Sequence, residues 1–331
     1  MNFKNKGLQN LLNRTTLSIS FKKLLNKIEN QYPSIKEITD FEPILQGYED
    51  ANILLFTDKG KYVLKIFLKE RSLANIKAYT KIIRSLTKIK VPTTQLIKGS
   101  LGYLSFSRTR KVKTYYFITK FIEGHNFQES PPNLHDMVIV AKHIAKLNTL
   151  TFKIQECYDS WGNKNFLKEF TNNKDKINSN QLKLIQPIFK AFKQIDFDKL
   201  SESVIHGDMQ KKHVIKSKAG NYHLIDFGCM SYTPKVIEIS TFLAWFCLDK
   251  KTWKQKNTII KKVINEYTKI HPLSDYELES IVVLTKASWA TYYLKASVLM
   301  KEGDNSSETK EWHKSSKTML NLSKDWKQTF D

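Results

Sequence analysis

Arginine is scarce. Only Arg14, Arg71, Arg84, Arg108 and Arg110 stand among 54 basic side chains, in a chain with a formal net charge of +22. Base readout and bidentate phosphate clamping favour the guanidinium fork. The lysines are spread along the whole chain among abundant Asn and Ile. That distribution reads as compositional bias, and an RNA- or DNA-associated protein would rest on charge alone. Cysteine is scarcer still. Cys157, Cys229 and Cys247 lie far apart with no C-x-x-C pair, which argues against a disulfide framework or a zinc site and for a reducing cytosol. No apolar run reaches the roughly 18 uncharged residues of a membrane span. The polar, lysine-bearing first residues have no apolar segment behind them of the kind a secretory signal needs. What is present, 41% apolar and 12% aromatic residues over 331 positions, suits one large domain or two lobes of a soluble cytoplasmic protein.

Residues 1–39 are basic, with an amphipathic helix over "FKKLLNKIENQY". "ANILLFTDKGKYVLKIF" (51–67) has a hairpin pattern: two β-rich runs about Asp58-Lys59-Gly60, with Gly60 supplying a positive φ. A helix over "RSLANIKAYTKIIRSL" ends before Val91-Pro92, and "GYLSFS" and "TYYFITKFI" read as two further strands. Residues 40–121 therefore form a small antiparallel β-rich lobe with one helix. Past Gly124 the character turns helical. Asn133 and Asp136 open one amphipathic helix. Ser274 and Glu277 cap a long one over 276–302 that Gly303 stops. Residues 122–331 form a larger helical lobe, interrupted by "HVIKS" and "YHLIDF" about the turn "KAGN". Ligands commonly sit in the cleft of such a two-lobed α+β architecture.

The chemistry concentrates in "VIHGDMQKKHVI" (204–215) and "HLIDFG" (223–228). Asp208 precedes one strand and Asp226 ends the next. Antiparallel pairing brings those two ends together, with His213 beside them. Two carboxylates so placed suit metal-assisted phosphoryl transfer, one holding the metal and the other orienting and deprotonating a hydroxyl.

HGD-x4-H followed by IDFG resembles the signature of the aminoglycoside phosphotransferase and choline-kinase-like family, relatives of protein kinases. The upstream segments fall in the matching order over roughly 40–300. The resemblance implies a two-lobed protein-kinase-like fold that uses ATP and magnesium to phosphorylate a small-molecule alcohol. It places Gly47 in the nucleotide loop "ILQGYEDAN", Lys65 of "YVLKIF" on the α/β-phosphates, and Phe121 in the hinge segment "YYFITKFIEG". Asp208 would be the catalytic base and Asp226 the principal magnesium ligand. His213 would stand at the second metal position, where Asn is commoner. His206 and Glu238 would anchor the loop.

Three departures accompany the resemblance. The nucleotide loop has a single glycine. No acid lies on the small-lobe helix, so Glu70 or Asp226 would have to pair Lys65. His213 replaces Asn. An antibiotic phosphotransferase, aminoglycoside or macrolide, and a non-catalytic kinase-like binding module remain alternative readings.

The acceptor is not specified. Within the large lobe, residues 131–331 carry 31 Lys+Arg against 22 Asp+Glu, which does not point to a polycation. Glu277, Glu279, Glu302, Asp304, Glu308 and Glu311 could still build a local acidic wall. Lys211 and Lys212 would suit a neutral or anionic acceptor. Trp289, Tyr292 and Tyr293 are either pocket or core.

Overall fold

The computed structural model describes residues 3–45, 50–109, 112–155 and 157–327. The chain divides into two compact units, residues 1–124 with 215–228, and residues 125–214 with 229–331.

The first unit is built on a five-stranded sheet. Its strands are β1 (Ile38–Ile44), β2 (Ala51–Thr57), β3 (Gly60–Ile66), β4 (Ser105–Arg108) and β5 (Lys113–Lys120), in spatial order β1-β2-β3-β5-β4 with antiparallel neighbours. The β2–β3 hairpin turns at Gly60, whose φ of +117° suits glycine. Alternation then sorts the side chains. Ala51, Ile53 and Leu55 of β2 join Leu64 and Ile66 of β3 on one face. Helices α1 (Phe3–Leu12) and α2 (Phe21–Gln31) cover that face, contributing Leu11, Leu24 and Ile28, with Tyr32 and Ile35 beyond them. The basic N-terminal segment is thus part of the sheet's hydrophobic core. Lys65 lies between Leu64 and Ile66 and so points to the other face, near Phe67, Phe117 and Tyr79. Tyr79 comes from α3 (Leu73–Lys88), which Ser72 caps by accepting the Asn75 amide. Short strands β8 (Val214–Ser217) and β9 (Tyr222–Leu224) follow much later in the chain and lead into the segment carrying Asp226. Strand β6 (Gly124–Asn126) lies where the chain passes from one unit to the other.

The second unit is mainly helical: α4 (Leu134–Leu147), α5 (Phe166–Asn173), α6 (Ser179–Lys193), α7 (Lys235–Phe242), α8 (Lys256–Thr268), α9 (Asp275–Lys301) and α10 (Ser307–Leu322). Both expected helix starts carry capping boxes, Asn133 with Asp136 on α4 and Ser274 with Glu277 on α9. Gly303, at φ +99°, follows the end of α9. The sequence reading did not anticipate strands β7 (Glu202–Ile205) and β10 (Ser231–Pro234), which pair antiparallel with Ile205 opposite Ser231. The loop after β7 carries Asp208.

Candidate active site

In the first unit, Lys65 and Asp226 meet. Lys65 Nζ lies 3.2 Å from Asp226 Oδ1 and 3.4 Å from Asp50 Oδ2. Burial alone would lower the Lys65 amine. The carboxylates of Asp226 and Asp50, with the Tyr79 phenol, override that and hold it above the ordinary lysine range. Asp226 sits two residues beyond β9 with φ +62°, a left-handed conformation that aspartate tolerates better than most residues. Tyr79 fixes this bend twice: its hydroxyl donates to Asp226 Oδ1 (3.2 Å) and accepts the Phe227 amide (2.9 Å).

Glu70, one of the two acids expected to pair Lys65, does not serve it. Glu70 is more than half exposed and pairs with Lys69 at 3.8 Å. Nor does Asp226 act alone, because Asp50 shares the lysine. The hairpin register explains why: Ala51 pairs with Ile66 and Asn52 with Lys65, so the residue before β2 arrives beside the end of β3. That register is the signal that could have identified Asp50.

Gly47 lies outside the described residues. Phe121 follows β5, where its amide donates to Lys61 O (3.0 Å) and its ring lies 5.7 Å from the Lys61 ammonium. These contacts do not bring it to Lys65.

In the second unit, the 206–213 loop is held by buried hydrogen bonds. Glu238, 0% exposed, accepts the amides of His206 and Gly207 on Oε2 (3.1 Å to Gly207). Burial pushes this carboxyl up to about 7, although the two amides pull the other way. His206 accepts the Asp208 amide at Nδ1 (3.3 Å). Both residues anchor the loop. Gly207 has φ +84°, and a Cβ there would lie 2.2 Å from the Cys229 carbonyl oxygen, so glycine is required.

Asp208 is gripped at Oδ1 by Gln210 Nε2 and by the Tyr292 hydroxyl (3.2 Å). Burial and the Asp208 charge keep the Tyr292 phenol well above its usual range, so it acts as a donor. His213 Nδ1 lies 2.7 Å from the Asp208 carbonyl oxygen. A carbonyl only accepts, so Nδ1 carries a proton in this contact. Gln210 and Tyr292 are the residues that sequence reasoning did not assign to the site. Trp289 and Tyr293 are core: Trp289 is 0% exposed and donates to Ala244 O.

Four of the six acids suggested as a wall have partners of their own: Glu277 is buried in the cap of α9, Glu302 pairs with Lys176, Asp304 accepts from Ser306 and Thr309, and Glu308 pairs with Lys212. Lys211 likewise pairs with Asp249 at 2.7 Å. The surface bordering Tyr292 is aromatic, with the rings of Trp161, Trp245 and Trp312 centred 4.3–5.8 Å from it.

The oxygen chemistry of Asp226 fits magnesium, and its side chain is 37% exposed. Among the described residues no group of three or more His, Cys, Asp or Glu gathers as a metal cage. A single carboxylate is nevertheless the usual protein contribution where phosphate oxygens and water complete the shell.

Residues 40–253 match the model of the phosphotransferase enzyme family. A homoserine kinase of Bradyrhizobium sp. (strain ORS 278) is 22% identical over 265 residues, covering 78% of this chain and 80% of that protein. Among solved structures, an amicoumacin kinase in complex with AMP-PNP, calcium and amicoumacin superposes with a TM-score of 0.66. It is 16% identical, over 95% of this chain and 96% of its own. A spectinomycin phosphotransferase with ADP and spectinomycin superposes with a TM-score of 0.67. It is 15% identical, over 93% and 99%. These structures share the protein-kinase-like fold.

Proposed function

The chain belongs to the phosphotransferase enzyme family and is a small-molecule kinase with an alcohol group as acceptor, and from that premise we propose that it transfers the γ-phosphate of ATP with Asp208 as base and Asp226 as magnesium ligand. The observation that carries the reading is the contact of Lys65 with Asp226. A buried lysine and a partly exposed carboxylate, 161 positions apart, are brought within 3.2 Å. That pairing suits a polyphosphate: the amine offsets phosphate charge while the carboxylate offers oxygen to a cation.

In this reading Lys65 orients the α- and β-phosphates, and Tyr79 keeps Asp226 in its left-handed bend. Magnesium, when bound, draws negative charge from the phosphate oxygens. His213 would contribute Nε2 as a further ligand while Nδ1 remains on the Asp208 carbonyl. Asp208 accepts the proton of the acceptor hydroxyl at its carboxylate, and the donors Tyr292 and Gln210 fix the direction it faces. The acceptor lies against the aromatic surface of Trp161, Trp245, Tyr292 and Trp312. The kinases this chain resembles act on homoserine, amicoumacin and spectinomycin, and a hydroxyl on a compact organic molecule is the chemistry they share.

The test is ATP consumption over a panel of alcohols, amino alcohols and sugars. Asp208→Asn keeps the shape and removes the charge, so turnover should fall on the order of a hundredfold or more with nucleotide affinity little changed. Near-normal turnover in this variant would sink the assignment of the base.

A further inference from the structure

We propose that Asp50 and Arg71 are the positioning pair for Lys65, supplying from the start of β2 the counter-charge that α3 does not carry. This inference rests on the phosphotransfer reading but goes beyond it. No acid occurs anywhere in α3. Its Tyr79 ring lies 5.3 Å from the Lys65 ammonium and offers a π face but no charge. A lysine on four rotatable bonds is held in one place only by a fixed partner. Asp226 is a poor anchor, because it is 37% exposed and is the oxygen donor that a cation would draw upon. Asp50 has a 0% exposed side chain and is locked on every side. Its Oδ1 accepts Arg71 Nε (2.8 Å) and the Leu68 amide (2.9 Å), which leaves Oδ2 for Lys65 Nζ.

Arg71 extends the device. Its guanidinium is 1% exposed, and Nη1 donates to Asn75 Oδ1 (3.1 Å) and to the Gly228 carbonyl (2.9 Å). One planar cation therefore ties together Asp50, the first turn of α3 and the backbone two residues past Asp226. The fork geometry of arginine permits this and an ammonium does not. Two cations and two carboxylates balance within the cluster, which offsets part of the cost of burying Lys65, Arg71 and Asp50. Lys65 and Asp226 are thereby held by a common frame while Asp226 keeps an exposed side.

A double-mutant cycle on the full-length protein tests this, with binding of a fluorescent ATP analogue as the readout. Asp50→Asn should weaken binding about tenfold when Lys65 is present, and should add nothing in a Lys65→Met background. An equal loss in both backgrounds marks a merely structural role and overturns the proposal, as does no loss beside Lys65. Thermal unfolding is followed in parallel. If Asp50→Asn does not fold, Arg71→Lys replaces it, with the same background-dependent loss expected. A second readout does not depend on nucleotide. Labelling of Lys65 by an amine-reactive ester, read by mass spectrometry, should rise several-fold in Asp50→Asn because the side chain loses the fixed, buried partner that holds it in the cluster. Unchanged labelling overturns the positioning role. If labelling rises in Asp50→Asn but the wild type binds no nucleotide, the phosphotransfer reading is refuted instead.

Discussion

Replacing Glu238 with Gln should change how stability depends on pH, and the size of the change follows from burial. In the folded protein this carboxyl is raised from 4.5 to about 7, chiefly because no water reaches it. A folded-state pKa above the unfolded one means the folded protein binds the proton more tightly. The stabilising contribution is therefore fully present below about 4.5 and is lost as pH rises through about 7. At about 1.4 kcal/mol per pH unit, the interval from 4.5 to about 7 corresponds to about 3 kcal/mol. Protonation leaves the loop contacts intact. His206 and Gly207 both donate to Oε2, and Oε1 has no hydrogen-bond partner among the described residues and can take the proton. Glutamine does not titrate. The unfolding free energies of wild type and Glu238→Gln should diverge by about 3 kcal/mol between pH 8 and pH 4.5, with wild type gaining toward acid. Urea unfolding followed by tryptophan fluorescence is the suitable assay, because all six tryptophans (Trp161, Trp245, Trp253, Trp289, Trp312 and Trp326) lie in the second unit, which also holds Glu238. A difference that is flat with pH, or that grows toward alkali, refutes the argument.

Three further outcomes are expected. Asp226→Ala should abolish the magnesium dependence of ATP binding, whereas Lys65→Ala should weaken binding and keep that dependence; calorimetric titration with and without magnesium separates them, and unchanged metal dependence in Asp226→Ala removes the ligand assignment. His213→Asn should stay active and lower the manganese-to-magnesium activity ratio, because an amide oxygen replaces a ring nitrogen that manganese tolerates better. An identical ratio in both proteins takes the imidazole off the metal and leaves it as a hydrogen-bonding partner of the Asp208 carbonyl. Ile28→Ala removes a 0% exposed side chain from between α2 and the sheet and should cost about 2–5 kcal/mol by circular dichroism; a loss under about 0.5 kcal/mol would show that the N-terminal segment contributes no core.

Elements that depend on neighbours in the chain were readable from the chain. The β2–β3 turn needs Gly60, the caps of α4 and α9 need Asn133 with Asp136 and Ser274 with Glu277, and each set spans a few positions. The residue types with rare chemistry, Asp208, His213 and Asp226, stood out for the same reason. The residues that hold them did not, because their partners are remote. Asp50 reaches Lys65 across 15 positions, Tyr292 reaches Asp208 across 84, and Arg71 reaches Gly228 across 157. The first of these was within reach, since a register of Ala51 opposite Ile66 places Asp50 beside the end of β3. The second was not. Helix α9 is buried on nearly every side, so Trp289, Tyr292 and Tyr293 look alike by periodicity. They part only in what their polar atoms meet: Trp289 Nε1 donates to the Ala244 carbonyl, and the Tyr292 hydroxyl donates to Asp208. A buried aromatic residue becomes part of a site through one polar atom, and the backbone that brings the acceptor to that atom is set by the whole fold.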